Sequence, residues 1–278
     1  MLSAHIVEKG LEAIIPTDSI DAIEIARSAE AEADRICALL GISPYGTPDL
    51  TKIGLYDIIV FCDDSGSMLQ DTRFEDQKSV VQRVSRIART YNRSGLSLRF
   101  INFEDDENYN HLSQDEINGV MSKVFPSGST KLGTKLLEKV LFPFVLNPAR
   151  RMALNKPVLI SIITDGEPTD ENVDTLKHAI LACKSELGKC VNSRGLPYGR
   201  SAVTFQINRI GNSPESKRFM DRLSNDPEIA NLIFCNDETL DAAVRKAGPD
   251  SGALNTWVCA LFAASSVIQK LRELIIVS

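Results

Sequence analysis

The chain has 278 residues, of which 43% are hydrophobic and 24% are charged, and its formal net charge at pH 7 is −6. A chain of this size and composition can bury a substantial core, which excludes a disordered or fibrous protein. The acidic balance argues against non-specific binding to nucleic acid and against attachment to an anionic membrane surface.

The two ends of the chain are predicted to be helical extensions, covering residues 1–50 and 250–278. Residues 19–40 place apolar side chains at helical spacing, and the Gly-, Pro-, Ser- and Thr-rich stretch 41–54 is typical of a linker. The apolar stretch 253–267 is shorter than the roughly 20 residues that a membrane-spanning helix needs. Because the first residues also lack the basic and apolar pattern of a secretory signal, we expect a soluble, cytoplasmic protein.

Between these extensions, apolar strands alternate with amphipathic helices. The run 56–62 is almost continuously apolar and rich in β-branched residues, which is typical of a parallel strand covered on both faces. Further strands are predicted at 96–103, 158–164, 203–210 and 232–235, with a short one near His111. Helices are predicted at 74–92, 114–124, 133–146, 171–187, 215–223 and 238–246. This alternation predicts an α/β domain over residues 54–247 with a mostly parallel sheet.

Oxygen-bearing side chains follow the predicted strands at 56–62 and 158–164, at the edge where open α/β sheets bind their ligands, and a further group opens the predicted helix at 133. The donors in these loops are Asp63, Ser65, Ser67, Thr130 and Asp165. All five are hard oxygen donors of the kind that Mg²⁺ prefers. Gly66 permits a turn in which the two serine hydroxyls face the same point. The sequence therefore predicts a Mg²⁺ site that keeps at least one coordination position open for an outside ligand.

Three motifs in this order resemble a known site. They are Asp63-x-Ser65-x-Ser67, Gly128-Ser129-Thr130 and Thr164-Asp165-Gly166-Glu167-Pro168. Together they resemble the metal-ion-dependent adhesion site of von Willebrand factor type A (vWA) domains. Each motif follows the proper predicted element, and the resemblance covers about residues 54–247.

The resemblance implies a Rossmann-like, three-layer αβα fold with six strands, one of them a short antiparallel edge strand. It also implies that Asp63, Ser65, Ser67, Thr130 and Asp165 hold the metal, with Mg²⁺ as the expected cation and Mn²⁺ or Ca²⁺ as alternatives. In the family, an Asp or Glu carboxylate from another protein typically completes the coordination shell. Ser129 departs from the pattern, because a second glycine is common there, and its hydroxyl competes with Thr130 as the candidate ligand.

Two other functions remain open from the residues alone. An exposed Mg²⁺ can polarise a phosphoryl oxygen, so a metal-assisted phosphohydrolase is one alternative, with Asp64 and Glu167 as the only nearby candidate bases. The other alternative is an assembly subunit that docks through its terminal helices and keeps a purely structural metal. No motif places a histidine, lysine or spare carboxylate as a general base, so a non-catalytic module that binds a partner protein is the preferred interpretation.

Overall fold

A single parallel sheet organises the protein. The computed structural model describes residues 2–16, 23, 27, 37–38, 41, 51–91, 95–248 and 252–261. Within them the strands are β1 (Asp57–Cys62), β2 (Leu96–Phe100), β3 (Val158–Thr164), β4 (Val203–Arg209) and β5 (Ile233–Cys235). Their spatial order is β2-β1-β3-β4-β5, and every neighbouring pair is parallel. The predicted α/β class with a mostly parallel sheet is confirmed.

Helices precede, connect and follow these strands. They are α1 (Leu2–Glu8), α2 (Arg73–Tyr91), α3 (Gln114–Met121), α4 (residues 132–150), α5 (Thr175–Leu187), α6 (Pro214–Asn225) and α7 (Leu240–Ala247), and residues 252–261 are also helical. Helix α4 has three consecutive parts, Leu132–Leu136, a π-helical Leu137–Leu146, and Asn147–Arg150. Pro143 lies in the π-helical part, where its missing N–H and bulky ring disfavour regular α-helical hydrogen bonding.

Helices cover both faces of the sheet, so the fold has three layers. Strand β1 shows why: Val60 packs in the core beneath α2, α3 and α7, whereas Phe61 packs in the opposite core beneath α4, α5 and α6. Both side chains are fully buried. Because successive strand residues point to opposite faces, a continuous apolar run requires this double cover. The burial of β1 confirms the interpretation of residues 56–62 as a central strand.

The sixth, antiparallel strand that the resemblance implies is not confirmed in the described residues. The segment near His111 forms only an isolated antiparallel bridge, between Leu96 and Leu112, at the edge of β2. His111 has a positive φ of 54°, and this left-handed conformation interrupts the extended backbone that a strand requires. Ser113 then caps α3, so the segment has no room to continue as a strand.

The described parts of the two terminal extensions pack against the sheet domain. Residues 2–16 bury Ile6 and Leu11, and His5 Nε2 lies 3.2 Å from the Tyr56 hydroxyl. At the other end, Gln206 donates a hydrogen bond to the Leu261 carbonyl. Most of the predicted helix 19–40, most of the predicted linker 41–54 and residues 262–278 lie outside the described residues. None of the described helices is both long enough and apolar enough to cross a membrane.

Candidate metal centre

The predicted donors lie at the point where the strand order reverses. From β1 the chain crosses to β2 on one side, and it later returns to β3 on the other side of β1. The carboxyl ends of β1 and β3 are therefore neighbours, and the Asp63 amide donates a 2.9 Å hydrogen bond to the Ile163 carbonyl. This arrangement places Asp63 beside Asp165, in the crevice where open α/β sheets bind ligands.

Asp63 is fully buried, and both of its carboxylate oxygens accept hydrogen bonds. Oδ1 accepts from the Ser65 amide at 2.9 Å, and Oδ2 accepts from the Thr164 hydroxyl at 2.6 Å. Gln77 of α2 donates to the Asp63 carbonyl at 2.9 Å. The first donor of the predicted set is thus held rigidly by the neighbouring strand and by a helix.

A chain of side-chain hydrogen bonds joins three further donors. The Ser65 and Ser67 hydroxyl oxygens lie 3.1 Å apart, and the Ser67 hydroxyl donates to Asp165 Oδ1 at 2.8 Å. The backbone contact between Ser65 and Asp63 extends this chain to the fourth donor. The structure therefore brings together Asp63, Ser65, Ser67 and Asp165, although 98 residues separate Ser67 from Asp165.

Thr130 belongs to a third loop, which adjoins the first through the backbone. The Gly66 amide donates to the Gly128 carbonyl at 3.1 Å, and the Ser127 amide donates to the Asp64 carbonyl at 2.7 Å. Thr130 is buried, and its amide donates to the Thr169 hydroxyl at 2.9 Å. Its loop lies at the site, but the hydrogen bonds seen for Thr130 in the described residues run through its backbone and not to the other four donors.

The main chain of Ser129 contacts the loop that follows β2. Its carbonyl accepts a 3.0 Å hydrogen bond from the Asn102 side-chain amide. Gly128, directly before it, has a φ of +80°, and a Cβ there would lie 2.9 Å from Asn102 Oδ1. A glycine is therefore required at 128, and Ser129 is less buried than Thr130.

Asp64 has a role that the sequence did not reveal. Its two carboxylate oxygens accept hydrogen bonds from the amides of Asn102 and Phe103, at 2.7 and 2.8 Å. Burial raises the pKa of Asp64, whereas these two hydrogen bonds and the charge of Lys139 lower it. Asp64 therefore ties the β1 loop to the β2 loop and ends β2 at Phe100, three residues earlier than predicted.

Arg73, at the start of α2, is the residue of the site that sequence reasoning missed. Its Nη1 atom lies 2.6 Å from Asp165 Oδ2 and 3.4 Å from the Ser67 carbonyl oxygen. No local pattern could have indicated this pair, because 92 residues separate its members. The only signal available was a basic residue six positions after Ser67.

The donor set is chemically suited to a hard divalent cation. Two buried carboxylates stand side by side, and burial together with the charge of Asp165 raises the pKa of Asp63 from its ordinary value of 3.8 to about 6. A bound cation would relieve the repulsion between these two carboxylates. In the described residues no three His, Cys, Asp or Glu side chains form a metal-binding group, so the candidate set relies on hydroxyl oxygens in addition to its two carboxylates.

The raised pKa of Asp63 predicts a pH-dependent stability in the metal-free protein. Below pH 3.8 Asp63 is protonated in both the folded and the unfolded chain. Between pH 3.8 and about 6 only the folded chain keeps this proton, so the free energy of unfolding falls as the pH rises through this window. We expect Asp63 to account for a loss on the order of 2–3 kcal/mol.

Urea unfolding in EDTA at several pH values measures this effect. Asp63→Asn is the matched control, because the amide keeps the shape and cannot ionise. The difference in stability between the wild type and Asp63→Asn should change by the predicted amount between pH 4 and pH 7. A difference that stays constant over this range would show that Asp63 ionises normally.

No protein-family model matches the chain, and no curated protein matches it significantly.

Proposed function

We propose that the chain is a Mg²⁺-dependent protein-binding module of the vWA type, with residues 54–247 as its vWA domain. In this proposal Asp63, Ser65, Ser67, Thr130 and Asp165 hold the cation, and a partner's Asp or Glu carboxylate takes the open coordination position. The observation that carries the proposal is the continuous hydrogen-bond chain from Asp63 through Ser65 and Ser67 to Asp165. It gathers predicted ligands from two separate loops at one point.

The surroundings of the site favour binding over catalysis. Asp64, one candidate base for a phosphohydrolase, uses both oxygens to accept backbone hydrogen bonds. Glu167, the other candidate, lies 3.4 Å from Arg222 in a surface ion pair. A general base must be within reach of the proton that it abstracts and must have an oxygen or nitrogen to accept it. Both oxygens of Asp64 already accept hydrogen bonds, and Glu167 is paired with Arg222 at the surface, so neither carboxylate meets these conditions well. The site therefore fits a binding role better than a catalytic one.

Two exposed apolar side chains flank the site on its loops. Phe125 has 73% of its surface exposed and lies two residues before Ser127. The Ser127 amide donates a hydrogen bond to the Asp64 carbonyl. Leu69 is 54% exposed and lies two residues after Ser67, whose hydroxyl donates to Asp165. Large apolar residues beside a polar site are typical of protein-binding surfaces, where aromatic side chains contribute much of the affinity. They support a protein partner rather than a small solute.

The assembly alternative receives less support. Trp257 donates to the Glu238 carboxylate at 2.7 Å, and Val258 is buried in the core, so the described part of the C-terminal helix is engaged within the chain. A docking helix would present its apolar side chains to a partner instead. Deleting residues 253–278 should abolish partner association if the assembly alternative holds, whereas chelation should leave it intact.

Calorimetry with Mg²⁺ tests the metal site, and affinity capture from a cell extract with and without EDTA tests the partner. The wild type should show a saturable binding heat with Mg²⁺, and Asp63→Ala should show a loss of affinity of about 100-fold or more, because one of two ligand charges is gone. Asp105→Ala is the matched control, since Asp105 is an exposed carboxylate in the adjacent acidic turn. Equal heats from the wild type and Asp63→Ala would rule out the proposed site.

A second variant separates metal binding from partner binding. Phe125→Ser should leave the Mg²⁺ heat unchanged and should weaken capture of the partner. If capture persists unchanged in EDTA, the metal is not part of the interaction. If Phe125→Ser captures the partner as well as the wild type does, the contact surface lies elsewhere.

A further inference from the structure

Arg73 brings a fixed positive charge into the candidate metal site. Its Nη1 atom lies 2.6 Å from Asp165 Oδ2, and the two side chains are only 11% and 1% exposed. The same atom lies 3.4 Å from the carbonyl of Ser67, another candidate ligand. A charged hydrogen bond between buried groups is strong, so Asp165 already has a cationic partner when no metal is bound.

The protein backbone shapes a slot for this guanidinium. Arg73 crosses Gly211, where an added Cβ would lie 2.7 Å from Nε and 3.0 Å from Cζ. Gly211 has a φ of +77°, and its amide donates to Asp241 Oδ1 at 2.9 Å, which fixes this turn. Arg73 Nε is itself buried without a hydrogen-bond acceptor in the described residues. The arginine is thus built into the site and is not a mobile surface side chain.

Arg73 changes the net charge that a metal meets in this site. Asp63 and Asp165 carry two negative charges when ionised, and Arg73 cancels one of them. A dication must therefore enter a site with one net negative charge instead of two, and it must share Asp165 with the guanidinium. In a poorly solvated site, like charges a few ångströms apart repel strongly. With the dication bound, the three side chains and the metal have a net charge of +1, which suits an anionic ligand.

We propose that Arg73 is an internal cation that competes with the divalent metal for Asp165, so that it lowers metal affinity and leaves the loaded site net positive. This inference rests on the proposed function, because it assumes that the Asp63–Asp165 pair binds a divalent cation. It adds a residue outside the predicted ligand set. It also explains why two neighbouring buried carboxylates are tolerated in the metal-free protein.

The test is a Mg²⁺ titration of the full chain by calorimetry, with the wild type, Arg73→Gln and Arg73→Lys. Arg73→Gln should bind Mg²⁺ about tenfold more tightly or better, because the competing charge is gone. Arg73→Lys keeps a positive charge in the site and should therefore bind Mg²⁺ more weakly than Arg73→Gln does. Thermal unfolding is the second readout: in EDTA, Arg73→Gln should unfold at a lower temperature than the wild type, and Mg²⁺ should raise its midpoint more.

Each other result has a distinct meaning. Equal or weaker Mg²⁺ binding by Arg73→Gln, with normal binding by the wild type, overturns the inference and makes Arg73 a residue that positions Asp165 for the metal. If Arg73→Gln is unfolded in EDTA, the midpoints of both proteins are compared between two Mg²⁺ concentrations at which both are folded. A larger shift for Arg73→Gln supports competition, and a shift equal to that of the wild type overturns it. If neither protein binds Mg²⁺ while both are folded, the proposed function itself fails.

Discussion

Gly133→Ala is expected to lower the free energy of unfolding by about 3 kcal/mol or more, one of the two largest effects predicted for a single substitution in this chain. An added Cβ at Gly133 would lie 2.4 Å from the Leu176 amide nitrogen and 2.5 Å from the Thr175 carbonyl carbon. Both atoms belong to the backbone of α5, so no side-chain rotation can relieve the overlap. Helices α4 and α5 would have to separate, which would open the core that they share with β3.

Equilibrium unfolding in urea, followed by circular dichroism, measures this effect. Gly119→Ala is the matched control, because Gly119 lies in α3 with no neighbouring atom within 4 Å of an added Cβ. At that position alanine should be neutral or should stabilise the protein by about 0.5–1 kcal/mol, since glycine is unfavourable within a helix. Equal stabilities for the two variants would contradict the close backbone contact between α4 and α5.

Asp64→Ala is expected to lower the free energy of unfolding by about 2–6 kcal/mol while leaving the affinity for Mg²⁺ within a few-fold of the wild type. The carboxylate of Asp64 accepts hydrogen bonds from two backbone amides, those of Asn102 and Phe103. Truncation leaves both amides without their acceptor, and each such loss in a buried position costs about 1–3 kcal/mol. The predicted metal ligands do not include Asp64, so the folded variant should still bind the ion.

Urea unfolding and Mg²⁺ calorimetry on the same preparation separate these two effects. Asp64→Asn should be intermediate in stability, because its amide oxygen can still accept one of the two hydrogen bonds while its NH₂ group faces the other amide. Asp105→Ala, in the exposed acidic turn, should leave the free energy of unfolding nearly unchanged. A stable Asp64→Ala protein that has lost Mg²⁺ binding would instead make Asp64 a ligand.

The stretches with the strongest periodicity were predicted with nearly correct bounds. Strand β3 begins and ends at the predicted residues, and α2 begins one residue before its predicted start. Elsewhere a side chain from a distant part of the chain moved a boundary. Helix α5 was predicted to begin at 171, but it begins at Thr175 because the Glu171 carboxylate accepts hydrogen bonds from the Gly133 and Thr134 amides, at the start of α4.

The sequence by itself determined the order of strands and helices along the chain and the sequence positions of the oxygen donors, because both depend on local periodicity and on residue type. It also indicated that Asp63 and Asp165 follow strands whose carboxyl ends share one edge. Only the tertiary structure decided that Asp63, Ser65, Ser67 and Asp165 form one hydrogen-bonded chain. The pairing of Arg73 with Asp165 was likewise decided there. Contacts between residues about a hundred positions apart depend on how helices and strands pack, and no local pattern encodes that packing.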